Sequence, residues 1–177
     1  MGRINCFESE KLIVGLLLSK ETEKSSILSL LESRWGALDH VSPEFPFIYT
    51  NYYEPEMGNS ISRLYVSFET LISPENLARI KIESNLLEQE SATADSRRSV
   101  NIDPGLLSLD RIVLASTKNA GHRIPLKDGI FAELCLAYRN GGWETFPWTY
   151  PDYASSEARS QMITIRNLYK AQRRTLL

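Results

Sequence analysis

The chain has 177 residues, 42% of them hydrophobic, and a formal charge of −2. That size suits one domain, residues 1–177, with a substantial core. The near-balanced charge excludes a global pull toward nucleic acid or an anionic membrane and leaves room only for local basic patches.

The start, Met1-Gly2-Arg3-Ile4-Asn5-Cys6, lacks the Ser or Thr of a myristoylation signal. Leu12–Leu18 is the most apolar part of the chain and is too short to span a bilayer. Glu8 and Glu10 precede it and no small-residue cleavage site follows, so it reads poorly as a secretion signal. Cys6 and Cys135 show no metal spacing, and Cys135 sits in an apolar run as a reduced core thiol would. The expectation is a cytoplasmic protein with no membrane partner.

Lys11–Ser19, apolar at alternate positions of both parities, predicts a central strand. Glu23–Trp35 follows as a helix with Ile27, Leu28, Leu31 and Trp35 on one face and Gly36 as its stop. Phe45–Tyr53 and Ile61–Ile72 are aromatic and β-branched strands, divided by Glu54–Asn59. Ser73-Pro74 opens a helix to Gln89 with Leu77, Ile80, Ser84 and Leu87 inward. Glu90–Ser96 is polar and reads as a mobile loop. A strand at Ser99–Asp103 or Arg111–Lys118 then completes a ferredoxin-like β-α-β-β-α-β start.

Further strands are expected at His122–Leu126, Gly129–Tyr138 and Trp143–Trp148. The links Lys127-Asp128-Gly129 and Asn140-Gly141-Gly142 point to antiparallel hairpins. A last helix, Ser155–Arg173, turns Ala158, Met162, Ile165 and Tyr169 inward. The fold class is therefore α+β: an antiparallel-rich mixed sheet with helices packed on it, extra β-hairpins after the ferredoxin-like start, and a C-terminal helix.

Residues able to do chemistry concentrate between Arg97 and Tyr153. In Asn101-Ile102-Asp103-Pro104-Gly105, alternation puts Asn101 and Asp103 on one face before Pro104-Gly105 turns the chain sharply. Asp103 is then either a carboxylate at a pocket edge or a turn residue bonding backbone amides. Thr117-Lys118 and His122-Arg123 follow an apolar strand, where ligand groups gather. Lys118, Arg123 and Arg98 suit a phosphate or carboxylate, and His122 suits acid or base work. A solvated hairpin explains the same string equally well.

Glu133 stands between Phe131 and Cys135 and needs a cation if buried, with Lys118, Arg123 and Lys81 as candidates. Trp148-Thr149-Tyr150-Pro151-Asp152-Tyr153 is a strand-to-helix corner. There Tyr150 and Tyr153 could stack on a ring and Asp152 could hold hydroxyls or a metal, or the segment could simply pack. Lys81, Asn85 and Glu88 form a polar helical stripe that reads as a solvated flank. Tyr49, Tyr52, Tyr53, Glu56 and Met57 read as a ligand-facing loop or a hairpin tip.

No phosphate loop, dinucleotide glycine fingerprint, nucleophile elbow or His-Glu-x-x-His occurs, and no zinc, haem or dinucleotide signature is present. With His40 and His122 as the only histidines, no metal ligand is assigned. The carboxylates suit at most a divalent cation such as Mg²⁺.

The segments Tyr53-Glu54-Pro55-Glu56-Met57-Gly58, Asn101–Gly105, Thr117-Lys118 with His122-Arg123-Ile124, Gly129-Ile130 and Trp148–Tyr153 carry a resemblance that spans essentially the whole chain. In this order they resemble a prokaryotic family catalogued as the domain of unknown function 4416 family. Leu106 and Pro125 stand where the family pattern has tyrosines. Some relatives carry a GTP-binding label, which finds no phosphate loop or Asn-Lys-x-Asp motif here. The resemblance implies a shared site or fold constraint and supplies no reaction.

Together these residues point to an enzyme or binding domain for an anionic, phosphorylated or nucleotide-like small molecule. Arg98, Asn101, Lys118, Arg123, Tyr150, Asp152 and Tyr153 would bind it, and His122, Glu133 and Asp103 would be catalytic. The alternative is a non-enzymatic interaction or dimerisation module using the Tyr-rich and Trp148–Tyr153 segments, with oligomeric state open. Acidic balance and a lack of aromatic-rich sheet strands argue against RNA.

Overall fold

The computed structural model describes residues 2–92 and 97–175. The expected loop at Glu90–Ser96 falls outside the described residues from position 93 to 96, and Glu90 itself closes a helix.

Strand β1 (Glu10–Ser19) is buried along its whole length, as a strand apolar on both faces must be. β4 (Ile61–Ile72) and β5 (Val100–Leu107) flank it, both antiparallel. β2 (Leu38–Val41) lies outside β4. Across β5 come β6 (Arg111–Ser116), β8 (Phe131–Arg139) and β7 (Arg123–Pro125), giving the order β2-β4-β1-β5-β6-β8-β7. The short strands β3 (Phe45–Pro46) and β9 (Gly142–Thr145) pair with β4 and β8.

Helix α1 (Lys24–Trp35) connects β1 to β2, and α3 (Leu77–Glu90) connects β4 to β5. The order β2-β4-β1-β5 with those two crossovers is the expected ferredoxin-like start. The mixed sheet is corrected: every pairing among the described residues is antiparallel. The crossover from β1 to β2 would make those two parallel, but β4 inserts between them and opposes both.

The two faces of β1 meet different layers. Leu12, Val14, Leu16 and Leu18 pack with Ile27 and Leu31 of α1 and Ile80 and Leu87 of α3. Ile13, with Tyr65, Leu107 and Leu114, packs under α5 (Ser156–Thr175), which follows the short helix α4 (Pro151–Ala154), through Ala158, Met162, Ile165 and Tyr169, the four positions its period turns inward. The hairpin turns are where their residues predict: Asp128 and Gly129 join β7 to β8 at φ 54° and 77°, and Asn140 and Gly141 join β8 to β9 at φ 52° and 83°.

Two local expectations are corrected, and one strand had no expectation attached to it. Phe45–Tyr53 pairs with β4 only at Phe45 and Pro46, and the chain then turns into α2 (Glu54–Met57), with Pro55 in its first turn. Leu38–Val41, too short and mixed to show a period, is a strand because its backbone completes the edge of β4. Pro104-Gly105 does not turn the chain: both residues continue β5, opposite Val14 and Ile13. Among the described residues no helix is long and apolar enough to cross a membrane.

Candidate functional site

A cavity of about 590 Å³ opens where the sheet forks between β5 and β6. The two strands pair only through Gly105–Leu107 and Ile112–Leu114. Beyond them the backbone of Ile102 is held by α3: its N–H donates to Glu88 Oε1 at 2.7 Å, and its carbonyl accepts from Lys81 Nζ at 3.0 Å. Alternate residues of a strand aim their backbone groups the same way, so Pro104 faces the same gap with no N–H to offer β6. The ladder ends there for want of a donor. Gly105 allows the strands their closest approach, since a Cβ on it would lie 2.6 Å from the Val113 carbonyl oxygen.

Eight of the ten expected site residues line this cavity: Arg98, Asn101, Asp103, Lys118, Glu133, Tyr150, Asp152 and Tyr153. His122 and Arg123 do not, and both bond Glu133 instead. Lys81, Asn85 and Glu88 also line it, which corrects their reading as a solvated flank: Lys81 is buried against β5 because it supplies the donor that β6 does not. Tyr49, Tyr52 and Tyr53 form part of the wall.

Glu133 is 1% exposed and has the partner its burial demands. Register places Arg123 directly across from it, and Arg123 Nε donates to Glu133 Oε2 at 2.6 Å. His122 Nε2 lies 3.1 Å from the same oxygen, while its ring stacks on Trp148 with centroids 5.1 Å apart. The other Arg123 nitrogens are spent on Ser116 Oγ, the Lys118 carbonyl and Tyr150 Oη. The guanidinium expected to grip an anion is therefore a clamp on Glu133.

Arg98 is likewise committed, to Glu56 at 2.8 Å, Asn101 Oδ1 at 2.9 Å and Glu88 at 3.5 Å. Asn101 in turn donates to Asp103 Oδ2 at 2.6 Å, as their shared strand face predicts. Asp103 also faces Lys81 at 3.5 Å. Lys118 differs: among the described residues no carboxylate pairs with it, and its ammonium rests 4.4 Å over the Tyr52 ring.

Sequence reasoning missed Arg63. It comes from β4, is buried, and pairs through Nη2 with the buried Asp152 at 2.5 Å, with Asp103 3.8 Å from Nη1. Three rings cage its guanidinium, Phe47, Tyr65 and Tyr153, at 5.5, 5.7 and 5.6 Å. Burial opposes its charge, but Asp152 and the neighbouring phenols and Asp103 outweigh that and hold its pKa above the ordinary value. An arginine set between Ile61 and Tyr65 on one face of an aromatic and β-branched strand was the available signal, an anomaly of the kind that singled out Glu133. Gly15, midway along β1, was the second: a Cβ there would lie 2.4 Å from Tyr153 Oη and 2.9 Å from Arg63 Nη1.

Burial raises the pKa of the phenols of Tyr53, Tyr150 and Tyr153, helped by Asp103 at Tyr53 and by Glu133 at Tyr150. All three stay protonated donors at neutral pH. Burial also raises the carboxyl of Glu88, against the opposing pull of Lys81 and the Ile102 N–H. Several buried atoms of the lining residues have no hydrogen bond: Arg63 Nε and Nη1, Glu133 Oε1, Tyr153 Oη, and Asp152 Oδ2, which keeps its ion pair. Among the described residues the only other such atom is Trp143 Nε1. No group of three or more Asp, Glu, His or Cys side chains among the described residues could hold a metal ion, and each acidic side chain of the cavity faces a cation.

Fold and site together define an α+β protein whose antiparallel sheet splits around a polar cavity of balanced charge. Residues 8–169 match the family described as Domain of unknown function (DUF4416), and the chain belongs to that family. No curated protein and no solved structure matches the chain.

Proposed function

We propose that the cavity binds a small organic anion that also carries hydroxyl or amine donors, the chemistry of sugar phosphates and nucleotides. One observation carries this reading. The buried polar atoms left without hydrogen bonds gather on residues of a single cavity, alongside Lys118, the one cavity cation without a carboxylate partner among the described residues. Buried polar groups are nearly always satisfied, so such a cluster supports a polar ligand as the partner of these atoms. Lys118 supplies the attraction for the anion, Glu133 Oε1 accepts from a hydroxyl or amine, and the tyrosines of the wall offer ring faces. Of the three groups expected to be catalytic, Glu133 and Asp103 reach the cavity, and His122 acts only through Glu133.

Thermal-shift measurement against nucleotides and sugar phosphates, with and without Mg²⁺, tests this. A member of the panel raises the wild-type Tm, and Lys118→Ala loses that shift while the free variant keeps the wild-type Tm. No shift across the panel removes the reading. A second reading, an interaction or dimerisation module, draws on the exposed Ile48, Tyr52, Ile124 and Trp148. Light scattering decides it: a strict monomer at high concentration leaves no self-association to explain.

A further inference from the structure

Resting on that ligand-binding reading, we propose that the buried Arg63 and Tyr153 of the cavity lining form a subsite for an uncharged oxygen acceptor of the ligand, a carbonyl or a hydroxyl, rather than for a second anionic group.

Arg63 Nη1 and Tyr153 Oη converge above Gly15, each within 3 Å of where a Cβ would stand (2.9 and 2.4 Å). Glycine in the middle of a central strand weakens it and marks the close approach of another group. Here the approaching groups are two donors, and neither makes a hydrogen bond. Tyr153 is 1% exposed, and the Arg63 side chain 6%, so bulk water does not compensate them. A structural role would have used them: the Tyr65 hydroxyl beside them reaches the Asp152 carbonyl oxygen at 3.4 Å, and Tyr169 Oη reaches the Ser9 carbonyl at 2.8 Å.

The charge of the occupant follows from the ion pairs. Arg63 has its charge met by Asp152 at 2.5 Å, and Asp103 stands 3.8 Å from Nη1. A second anion would enter beside two carboxylates with no net positive charge to hold it, and would meet the full cost of desolvation. A neutral oxygen meets no such repulsion and still receives the free N–H and O–H. The anion stays at Lys118, and the uncharged end of the molecule reaches inward among Phe47, Tyr53 and Tyr153.

Calorimetric titration of wild type, Tyr153→Phe and Lys118→Ala with three probes tests the division: inorganic phosphate, ribose 5-phosphate and uridine 5′-monophosphate. The wild type binds an organic probe more tightly than phosphate. Tyr153→Phe weakens that organic probe roughly tenfold, the scale of one hydrogen bond with its partner left unmet, and leaves phosphate unchanged. Lys118→Ala weakens all three. Chemical denaturation of the free proteins supplies the second readout: Tyr153→Phe is as stable as the wild type or more so, because the hydroxyl it removes bonds nothing. Wild type that binds no probe overturns the proposed function, and this subsite with it. Wild type that binds while Tyr153→Phe binds equally well overturns the subsite alone. So does a Tyr153→Phe that loses phosphate as strongly as the organic probes, or one that is markedly less stable when free.

Discussion

A buried charge persists only where something meets it, and the cavity holds two such cases that behave differently. At Glu133 one carboxylate oxygen takes both Arg123 and His122 while the other takes nothing. The first oxygen is anchored to the protein, and the second is buried without a hydrogen bond. Removing the carboxylate strands Arg123, whose side chain is only 8% exposed. Glu133→Ala is therefore expected to cost about 3 kcal/mol, the scale for orphaning one partner of a buried pair. Glu133→Gln, which keeps an acceptor, costs about 1 kcal/mol. Urea denaturation of the two variants reads the difference, and equal losses would mean that volume, not charge, sets the value of the position. At Arg63 the balance differs, because its charge is met and its hydrogen-bonding capacity is not.

At the scale of elements, the cavity exists because β5 and β6 stop pairing, and two adjacent residues bring this about. Pro104 withholds a donor, and Gly105 lets the strands cross tightly just before they part. Gly105→Ala sets a methyl 2.6 Å from the Val113 carbonyl oxygen and 2.7 Å from Leu114 Cδ2. The backbone oxygen gives way little, so the variant is expected to lose about 2 kcal/mol, within the usual range for overpacking. Its Tm reports this, and an unchanged Tm would show that the fork is slack. The same pair shows where sequence reading stops. Pro-Gly in isolation is turn chemistry, and only the neighbours β1 and α3 make it a strand with one bare edge. Elements with a clear period, such as Ile61–Ile72 and Ser156–Thr175, were legible within a residue or two. Leu38–Val41 was not, since four residues carry no period and their pairing is decided by β4. The site was legible by its anomalies: Glu133 breaks an apolar alternation, and Arg63 stands between Ile61 and Tyr65 on one face of its strand, a weaker signal because Ser67 and Glu69 follow on that face. Lys81 and Glu88 were beyond reach, because what buries them is the ladder that β6 fails to supply.

At the scale of the whole molecule, the sheet is held under acid titration by carboxyls of opposite tendency. Glu10, at the start of β1, and Glu88, on α3, both have pKa values raised by burial, against the pull of Arg111 in one case and of Lys81 and the Ile102 N–H in the other. A carboxyl raised in the folded state binds its proton more tightly folded than unfolded. Its contribution to stability is therefore complete below the ordinary value of 4.5 and is lost as pH rises through the folded value. The exposed Glu44 and Glu56, lowered by bonds to Lys24 with Ser62 and to Arg98, act in the opposite sense below that value. The two windows separate, so the effect of Glu88 is readable alone. Across a series of urea denaturations from about pH 4.5 to about pH 7, the stability of the wild type relative to Glu88→Gln should fall as pH rises. Glu10→Gln should show the same sign, and the double variant should sum the two, since Glu10 and Glu88 share no bonding partner. A difference that rises with pH would mean that Lys81 and Arg98 outweigh burial at Glu88. The cavity wall would then carry a fixed negative charge at Glu88 throughout the range, which would weaken anion binding at acidic and neutral pH alike.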